Sequence, residues 1–389
     1  MLLKFLLCFA PFVVINAEIS SDTLVYVHLL FRHGDRCPEK NNLYKSSPYY
    51  NESYFKPYGF GQLTNKGKLR SYNVGKEIRA RYKGFLDEEY SIDLIDARSS
   101  DFNRTKASLQ AMLAGLFPPT EELNWLPGFN WQPIPTTYVE RSRDKEMFAF
   151  GCPMWDATLD EYSKTQQDNE TTSKYDDLLK FLTEKTGENY DFLNAYYLYF
   201  GFKILQELNY TLPDWGNDVY PYPLKNLTLD YYDMITATSK LRQLTGGYLL
   251  KNIVDDVQKR INDQSISRTM SLWCGHENNI AALLKVMKVP RNDDIASYGS
   301  YIAMEVHRVN GTYGFQVLYR NKEAQAKVLK LPGCEEFCPM DSFMRIVRED
   351  LPVDDSVCEG AHSSTTRHLS QISILVLLIL HYCIHNYSK

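Results

Sequence analysis

The segment that most limits the fold is Leu24 to Phe31, Leu-Val-Tyr-Val-His-Leu-Leu-Phe, an almost unbroken apolar run rich in β-formers. A strand with one wet face would alternate apolar and polar residues. This run therefore predicts a strand buried on both faces, inside a sheet covered by helices on either side. It stops at Arg32-His33-Gly34-Asp35-Arg36, a polar cluster placed where the strand ends. Beyond a loop rich in Tyr, Pro and Gly, Thr64 can cap a helix with Val74, Ile78 and Tyr82 on its inner face. The pattern then recurs. Ser91 to Ala97 reads as a strand and Asp101 starts a helix. Leu109, Met112, Leu113 and Leu116 follow at i, i+3, i+4 and i+7, ending at Pro118-Pro119. Arg104 thereby falls in a first helical turn. In a third unit Thr269 to Cys274 is the strand, Gly275-His276-Glu277 the turn, and Ile280, Leu283, Leu284 and Met287 the helix stripe.

Residues 141–240 lack clear strands and read as helical, with Tyr175, Leu178, Leu179 and Leu182 at helical spacing. The aromatic-rich run Tyr190 to Tyr210 reads as core and not as a substrate box. Ile302, Met304 and Val306 alternate with polar neighbours, Asn310-Gly311 supplies a turn, and Phe315, Val317 and Tyr319 alternate on return, predicting a hairpin. The expected fold class is α/β: a mixed β-sheet flanked by helices on both faces, with a smaller helical cap inserted. The expected boundaries are a core of 18–140 and 241–360, a cap of 141–240, and a C-terminal tail of 361–389.

A net charge of -5 supplies no basic field of the kind that holds nucleic acid. Lys4, the apolar run Phe5 to Ile15, and Asn16-Ala17 match a secretory signal peptide over 1–17. Export agrees with Asn-x-Ser/Thr sites at Asn51, Asn103, Asn169, Asn209, Asn226 and Asn310, which are candidate glycosylation positions. Cys8 lies in the signal and Cys383 in the tail. The even set Cys37, Cys152, Cys274, Cys334, Cys338 and Cys358 suggests disulfides, with Cys334 and Cys338 near enough to pair locally. No spacing resembles a pair of zinc knuckles, so neither metal nor cofactor is expected. The apolar stretch Leu369 to Ile384 is shorter than the ~20 residues of a spanning helix. It fits a removed lipid-anchor signal better, which leaves membrane anchoring through the tail as an expectation.

Open α/β sheets bind ligands where loops leave the carboxyl ends of strands. Three such loops hold Arg32, His33, Arg36, Arg104, His276 and Glu277. Guanidiniums and imidazoles converging on one point repel one another unless an anion sits among them, and Arg forks match phosphate oxygens bidentately. An imidazole so placed can attack phosphorus without a metal, since cationic donors meet the charge on the equatorial oxygens. Gly34 would let the backbone approach the bound anion. Glu277 is the carboxyl group immediately beside His276, suited to protonating a leaving alkoxide. His28 and His307, each within a strand pattern, are assigned to structure.

Arg-His-Gly-Asp-Arg after a strand, then Arg98-Ser-Ser-Asp-Phe-Asn-Arg104-Thr with Leu116-Phe117-Pro118-Pro119, then Gly275-His276-Glu277, resemble in order the signature segments of the histidine acid phosphatases. The resemblance runs from about Val25 to Cys358. It implies that His33 becomes phosphorylated and that Arg32, Arg36, Arg104 and His276 hold the phosphoryl oxygens. It implies too that the residue after His276 donates a proton to the leaving group and later assists water. The family usually has Asp where Glu277 stands, which bears on efficiency because a misplaced acid costs on the order of 10² to 10⁴ in rate. Disulfides Cys152–Cys358 and Cys334–Cys338 and a homodimer are implied by the resemblance alone. For Cys37 and Cys274, in the two catalytic loops, a bridge or two independent buried thiols both fit. The expected substrates are small phosphomonoesters. A specialised phytase-like member and a catalytically weak phosphate-binding protein are the alternatives.

Overall fold

A computed structural model describes residues 21–263, 265–290, 294–322 and 325–360. The signal-peptide reading over 1–17 and the tail reading over 361–389 lie outside the described residues.

The strand predicted at the start is β1, Leu24–Arg32. Helix α1, Asn65–Arg81, follows it, and its N-cap Thr64 accepts from the Gly67 N–H. Next come β2 (Ile95–Ser99), α2 (Asn103–Leu116) and β3 (Thr137–Tyr138). The helices α3 (Met154–Ser163), α4 (Gln166–Thr172), α5 (Asp176–Thr186), α6 (Phe192–Glu207), α7 (Leu224–Met234), α8 (Ser239–Arg242) and α9 (Tyr248–Asn262) then run without an intervening strand. The sheet resumes with β4 (Met270–Gly275), α10 (Glu277–Val286), β5 (Tyr301–Val309), β6 (Thr312–Arg320), β7 (Lys327–Leu329) and β8 (Cys338–Pro339), and the short helices α11 (Met340–Val347) and α12 (Ser356–Glu359) close the described chain.

The sheet order is β3-β2-β4-β1-β5-β6-β7, with β8 beside β6. The half from β3 to β1 is parallel and the half from β5 onward antiparallel. This is the mixed sheet expected from a β-helix alternation followed by a hairpin. At the hairpin tip Asn310 and Gly311 adopt φ of 50° and 82°, the left-handed pair that matches strand twist.

The continuous apolar character of β1 has a direct cause. Val27, Leu29 and Phe31 face one side, where they pack with Val74 and Ile78 of α1 and Leu109 and Met112 of α2. Tyr26 and Leu30 face the other, against Leu249 and Ile253 of α9 and Ile280 and Leu283 of α10. A third cluster joins α5, α6 and α7 with Leu43, Tyr44 and Phe55, which lie between β1 and α1, so the helical layer rests on the segment that leaves β1.

Several boundaries differ from expectation: β4 is Met270–Gly275, so Gly275 ends the strand, and α10 stops at Val286 with Met287 as its C-cap. The strand expected at Ser91 to Ala97 starts at Ile95, because pairing with Met270 in β4 begins there, and it continues to Ser99 opposite Cys274. Asp101 does not start α2; Phe102 is its N-cap, and Asp101 instead pairs with Lys106 at 2.6 Å. Cys152–Cys358 and Cys334–Cys338 are disulfides, the first tying the chain ahead of α3 to α12. Cys37 and Cys274 are separate buried thiols. Cys37 packs into the helical cluster and Cys274, on β4, into the cluster under α1 and α2, so a bridge between them does not form.

Candidate active site

The sheet register assembles the site. Phe31 pairs with Cys274, Arg32 with Gly275, and Ser99 also with Cys274, so β1, β2 and β4 end level with one another. Hydrogen bonds continue past the strands: His33 N–H donates to Gly275 O and Ser100 N–H to Cys274 O, each at 3.0 Å. Residues distant in sequence thus leave the sheet side by side. The imidazoles of His33 and His276 lie 5.3 Å apart, centroid to centroid. They line a cavity of about 330 Å³ together with Arg36, Arg104, Glu277 and Glu39.

His33 Nδ1 is 2.8 Å from Gly34 O. A carbonyl only accepts, so the proton of the neutral ring is on Nδ1 and Nε2 keeps its lone pair. Arg104 Nε donates to that Nε2 at 3.2 Å. Burial, then Arg104 and the other cations, hold His33 well below the usual histidine range, so the ring stays neutral in mild acid. His276 is held low by burial and Arg104 as well. Its Nε2 is 2.9 Å from Ser100 Oγ, whose own proton goes to Thr105 Oγ1 at 3.0 Å, while Thr105 donates to Ser100 O. Nε2 of His276 is therefore the protonated nitrogen, donating to Ser100 Oγ, while the ring also accepts from the Asn279 backbone N–H.

Arg104, lowered to about 10 by burial and then Arg36, remains a cation in acid and neutral solution. Its guanidinium stacks 4.1 Å over Phe102 and donates to Glu39 at 3.0 Å. Arg36 donates to Asn42 Oδ1 at 2.9 Å and Cys37 O at 3.0 Å. Arg32 is placed differently from the other expected residues. It does not line the cavity but is fully buried beneath it, donating to Ala296 O at 2.6 Å, paired with Glu277 at 3.0 Å, and stacked 4.2 Å over Tyr298. Among the described residues Arg32 Nε, Arg36 Nε and the Tyr298 hydroxyl are buried without a hydrogen-bond partner.

Glu277 is the first residue of α10, and its Oε1 accepts from the Tyr196 hydroxyl at 3.0 Å. Burial would raise its carboxyl, but Arg32 and the surrounding cations prevail and hold it at about 2.

Gly34 has a different role from the one expected. A Cβ there would sit 2.1 Å from Gly67 O, so the close approach is to the first turn of α1 and not to a ligand. Asp35 serves the same junction. Its carbonyl accepts from Thr64 and its carboxylate from Arg70 Nε at 2.6 Å. The reading of Tyr190 to Tyr210 as core holds for Leu198 and Phe202, but Tyr196, Tyr197 and Phe200 also line the cavity. Tyr298, Phe102 and Glu39 were not singled out from the sequence; Phe102 had an available signal inside the Arg98 to Thr105 segment, and Glu39 one in standing three residues after Arg36. His28 and His307 lie in strands away from the cavity. Among the described residues no three His, Cys, Asp or Glu side chains group as a metal site.

His28, His33 and His276 are all buried and held below their ordinary pKa, in each case by burial first and arginine charge second. Below pH about 6.5 the unfolded chain takes up protons that the folded one refuses, each worth about 1.4 kcal/mol per pH unit. The stability they leave intact above that pH is lost on acidification. Thermal unfolding at pH 7 and pH 5 is expected to show a midpoint several degrees lower at pH 5. An unchanged or higher midpoint contradicts the neutral assignments.

A family model described as histidine phosphatase superfamily (branch 2) matches residues 23–320, spanning all three loops of the cavity. The chain belongs to this family. As a histidine phosphatase it is 35% identical over 348 residues to the venom acid phosphatase of Apis mellifera, covering 86% of this chain and 88% of that one. It is 32% identical to the lysosomal acid phosphatase of Rattus norvegicus, covering 91% and 84%. Identity to the prostatic acid phosphatase of Bos taurus is 30%, covering 91% and 92%. Among solved structures, the phytase of Klebsiella sp ASR1 matches with a TM-score of 0.61 at 18% identity, covering 85% of this chain and 98% of that one. The Hafnia alvei phytase in complex with tartrate matches with 0.62, also at 18%, covering 87% and 98%. At that identity these two likenesses concern the fold.

Proposed function

We infer that this histidine phosphatase is an acid phosphatase that hydrolyses small phosphate monoesters through a phosphorylated His33, without a metal. One observation carries the reading: Nδ1–H of His33 is committed to Gly34 O, leaving the Nε2 lone pair directed into a cavity of cationic donors. Arg36, Arg104 and His276 hold the phosphoryl oxygens, and Arg32 adds its charge from beneath the floor. Nε2 attacks phosphorus, the P–N bond forms, and the P–O bond to the leaving group breaks with its electron pair on oxygen. A protonated Glu277 gives that oxygen its proton. Water then attacks the phosphohistidine and yields a proton to the Glu277 carboxylate, and the P–N bond breaks to restore the lone pair. The guanidiniums meet the charge on the equatorial oxygens, the task a metal performs in other phosphatases.

Export belongs to the same reading, supported by the sequence of 1–17 and by the exposure of Asn51, Asn103, Asn169, Asn209, Asn226 and Asn310, which makes each available to a glycan. So do pairing of two copies and anchoring through 361–389. Among the described residues no helix is long and apolar enough to cross a membrane.

Release of inorganic phosphate from 4-nitrophenyl phosphate and from an alkyl phosphate below pH 6, with and without EDTA, tests the activity. Turnover is expected to be equal in both conditions. Loss in EDTA that zinc restores overturns metal independence, and no release from any monoester overturns the enzyme.

A further inference from the structure

The cavity contains a second carboxylate that the proposed mechanism does not use. Glu39 Oε1 accepts from Arg104 Nη1 at 3.0 Å, and Oε2 lies 4.0 Å from Arg36 Nη2. These are two of the three guanidiniums of the proposed phosphoryl site. The placement is built into the loop. Glu39 precedes the short 3-10 turn Lys40–Asn42, and its backbone N–H donates to Asn42 Oδ1 at 2.9 Å, the same oxygen that accepts from Arg36. Its stem passes over Gly61, where a Cβ would come within 3.0 Å of Cγ. Yet the side chain is 30% exposed, whereas those of Arg36 and Arg104 are each only 7% exposed. The cations are buried, while the carboxylate that covers them is the more exposed partner in the cavity lining; it also accepts from the Asn42 backbone N–H, which returns it to the arginines after displacement.

We propose that Glu39 is a specificity-determining residue: an internal competitor that a phosphoryl group must displace from Arg104 and Arg36, and that then repels further negative charge at the mouth. This rests on the reading of the cavity as a phosphoryl site and deepens it. Displacement weakens substrate and product phosphate alike, so Glu39 raises KM and relieves product inhibition without touching the chemical step. Once displaced, the carboxylate stays tethered within a few ångströms of the mouth. A second phosphate on the leaving group meets a like charge there, with Arg141, stacked 4.7 Å over Phe102, as the further cation of the lining. The favoured substrates are monoesters of uncharged alcohols and phenols, and polyphosphorylated substrates are disfavoured.

The test uses the full chain as wild type, Glu39→Gln and Glu39→Asp, with inorganic phosphate as the probe in calorimetry. Turnover is followed on 4-nitrophenyl phosphate and fructose 1,6-bisphosphate. Removing the charge in Glu39→Gln is expected to tighten phosphate on the order of ten-fold. KM falls with it, kcat stays within about two-fold, and the bisphosphate gains relative to the monoester by roughly ten-fold in kcat/KM. Glu39→Asp, which keeps the charge, retains the wild-type ratio. The proposal is overturned if Glu39→Gln, unfolding at the wild-type temperature, binds phosphate equally or more weakly, since the carboxylate then only orders the arginines. It is overturned too if the substrate ratio does not move in an active variant. Tighter phosphate binding in Glu39→Gln with no turnover in any of the three proteins overturns the phosphatase reading and leaves the competitor standing.

Discussion

His33→Ala is expected to lose at least about 10⁴-fold in turnover on every monoester, and to lose all phosphate label from the protein. The label is read after mixing with ³²P-labelled substrate and quenching in alkaline denaturant, where a P–N bond survives. The expectation follows from the tautomer. With Nδ1–H bound to Gly34 O, His33 Nε2 keeps its unshared pair in the cavity, where it accepts from Arg104 Nε until a phosphoryl group takes that guanidinium. The His276 Nε2 carries a proton toward Ser100 and cannot replace it. Alanine removes the nucleophile but leaves the guanidiniums, so phosphate still binds while turnover disappears. That combination separates loss of chemistry from loss of fold. A wild-type protein that turns over yet never carries label, or an alanine variant that still does, overturns the covalent step. His276→Ala should leave labelling possible but slow, because it removes an imidazole that borders the phosphoryl site and not the attacking atom.

Much of this arrangement was legible in the sequence because it depends on period and on strand ends. The two-sided burial of β1 is visible as an apolar run, and the helix stripes of α1, α2 and α10 as residues at three- and four-residue spacing. The hairpin is visible as Asn310-Gly311 between alternating strands. Convergence of the polar clusters required only that the strands be parallel neighbours, as they are. What the chain did not disclose are properties of packing between distant elements. Arg32 and Arg36 belong to one motif, yet Arg32, the last residue of β1, is turned under the cavity by Glu277 and Ala296 O, while Arg36 lies in its wall. Gly34 reads as a glycine for a ligand, but its demand comes from Gly67, in a helix whose docking no local pattern encodes. The aromatic run is core on one helix face and cavity wall on another, a distinction that needs the position of α6 over the strand ends. Cys37 and Cys274 are near each other in the logic of the motif and lie in different apolar clusters.

Glu277→Gln is expected to reduce kcat by about 10² to 10⁴ on alkyl phosphates, while 4-nitrophenyl phosphate shows a burst of about one phenolate per site followed by slow turnover. In the free protein Glu277 cannot be an acid: Arg32 at 3.0 Å and the neighbouring cations hold it at about 2, so it is ionised at any pH an acid phosphatase works in. The missing proton can arrive with the substrate. A phosphate monoester has its second pKa near about 6 and binds in mild acid as the monoanion. Transfer of that proton to Glu277 leaves a dianionic phosphoryl group among Arg36, Arg104 and Arg32, which offsets the charge that had kept the carboxyl ionised. The wild-type kcat/KM should therefore fall as pH rises through about 6, following the substrate and not the pKa of the free enzyme's glutamate. Glutamine retains the contact length to Arg32 but can neither supply the proton nor take one from water. A phenolate departs without help, so phosphorylation by the nitrophenyl ester proceeds and the phosphohistidine accumulates. An alkoxide does not, so alkyl substrates stall at the first step. KM is expected to drop because Arg32 loses its carboxylate, which makes kcat, burst amplitude and label the informative readings. Full turnover of alkyl phosphates by the glutamine variant, with no burst on the nitrophenyl ester, would remove Glu277 from the chemistry and leave it as the counter-charge of Arg32.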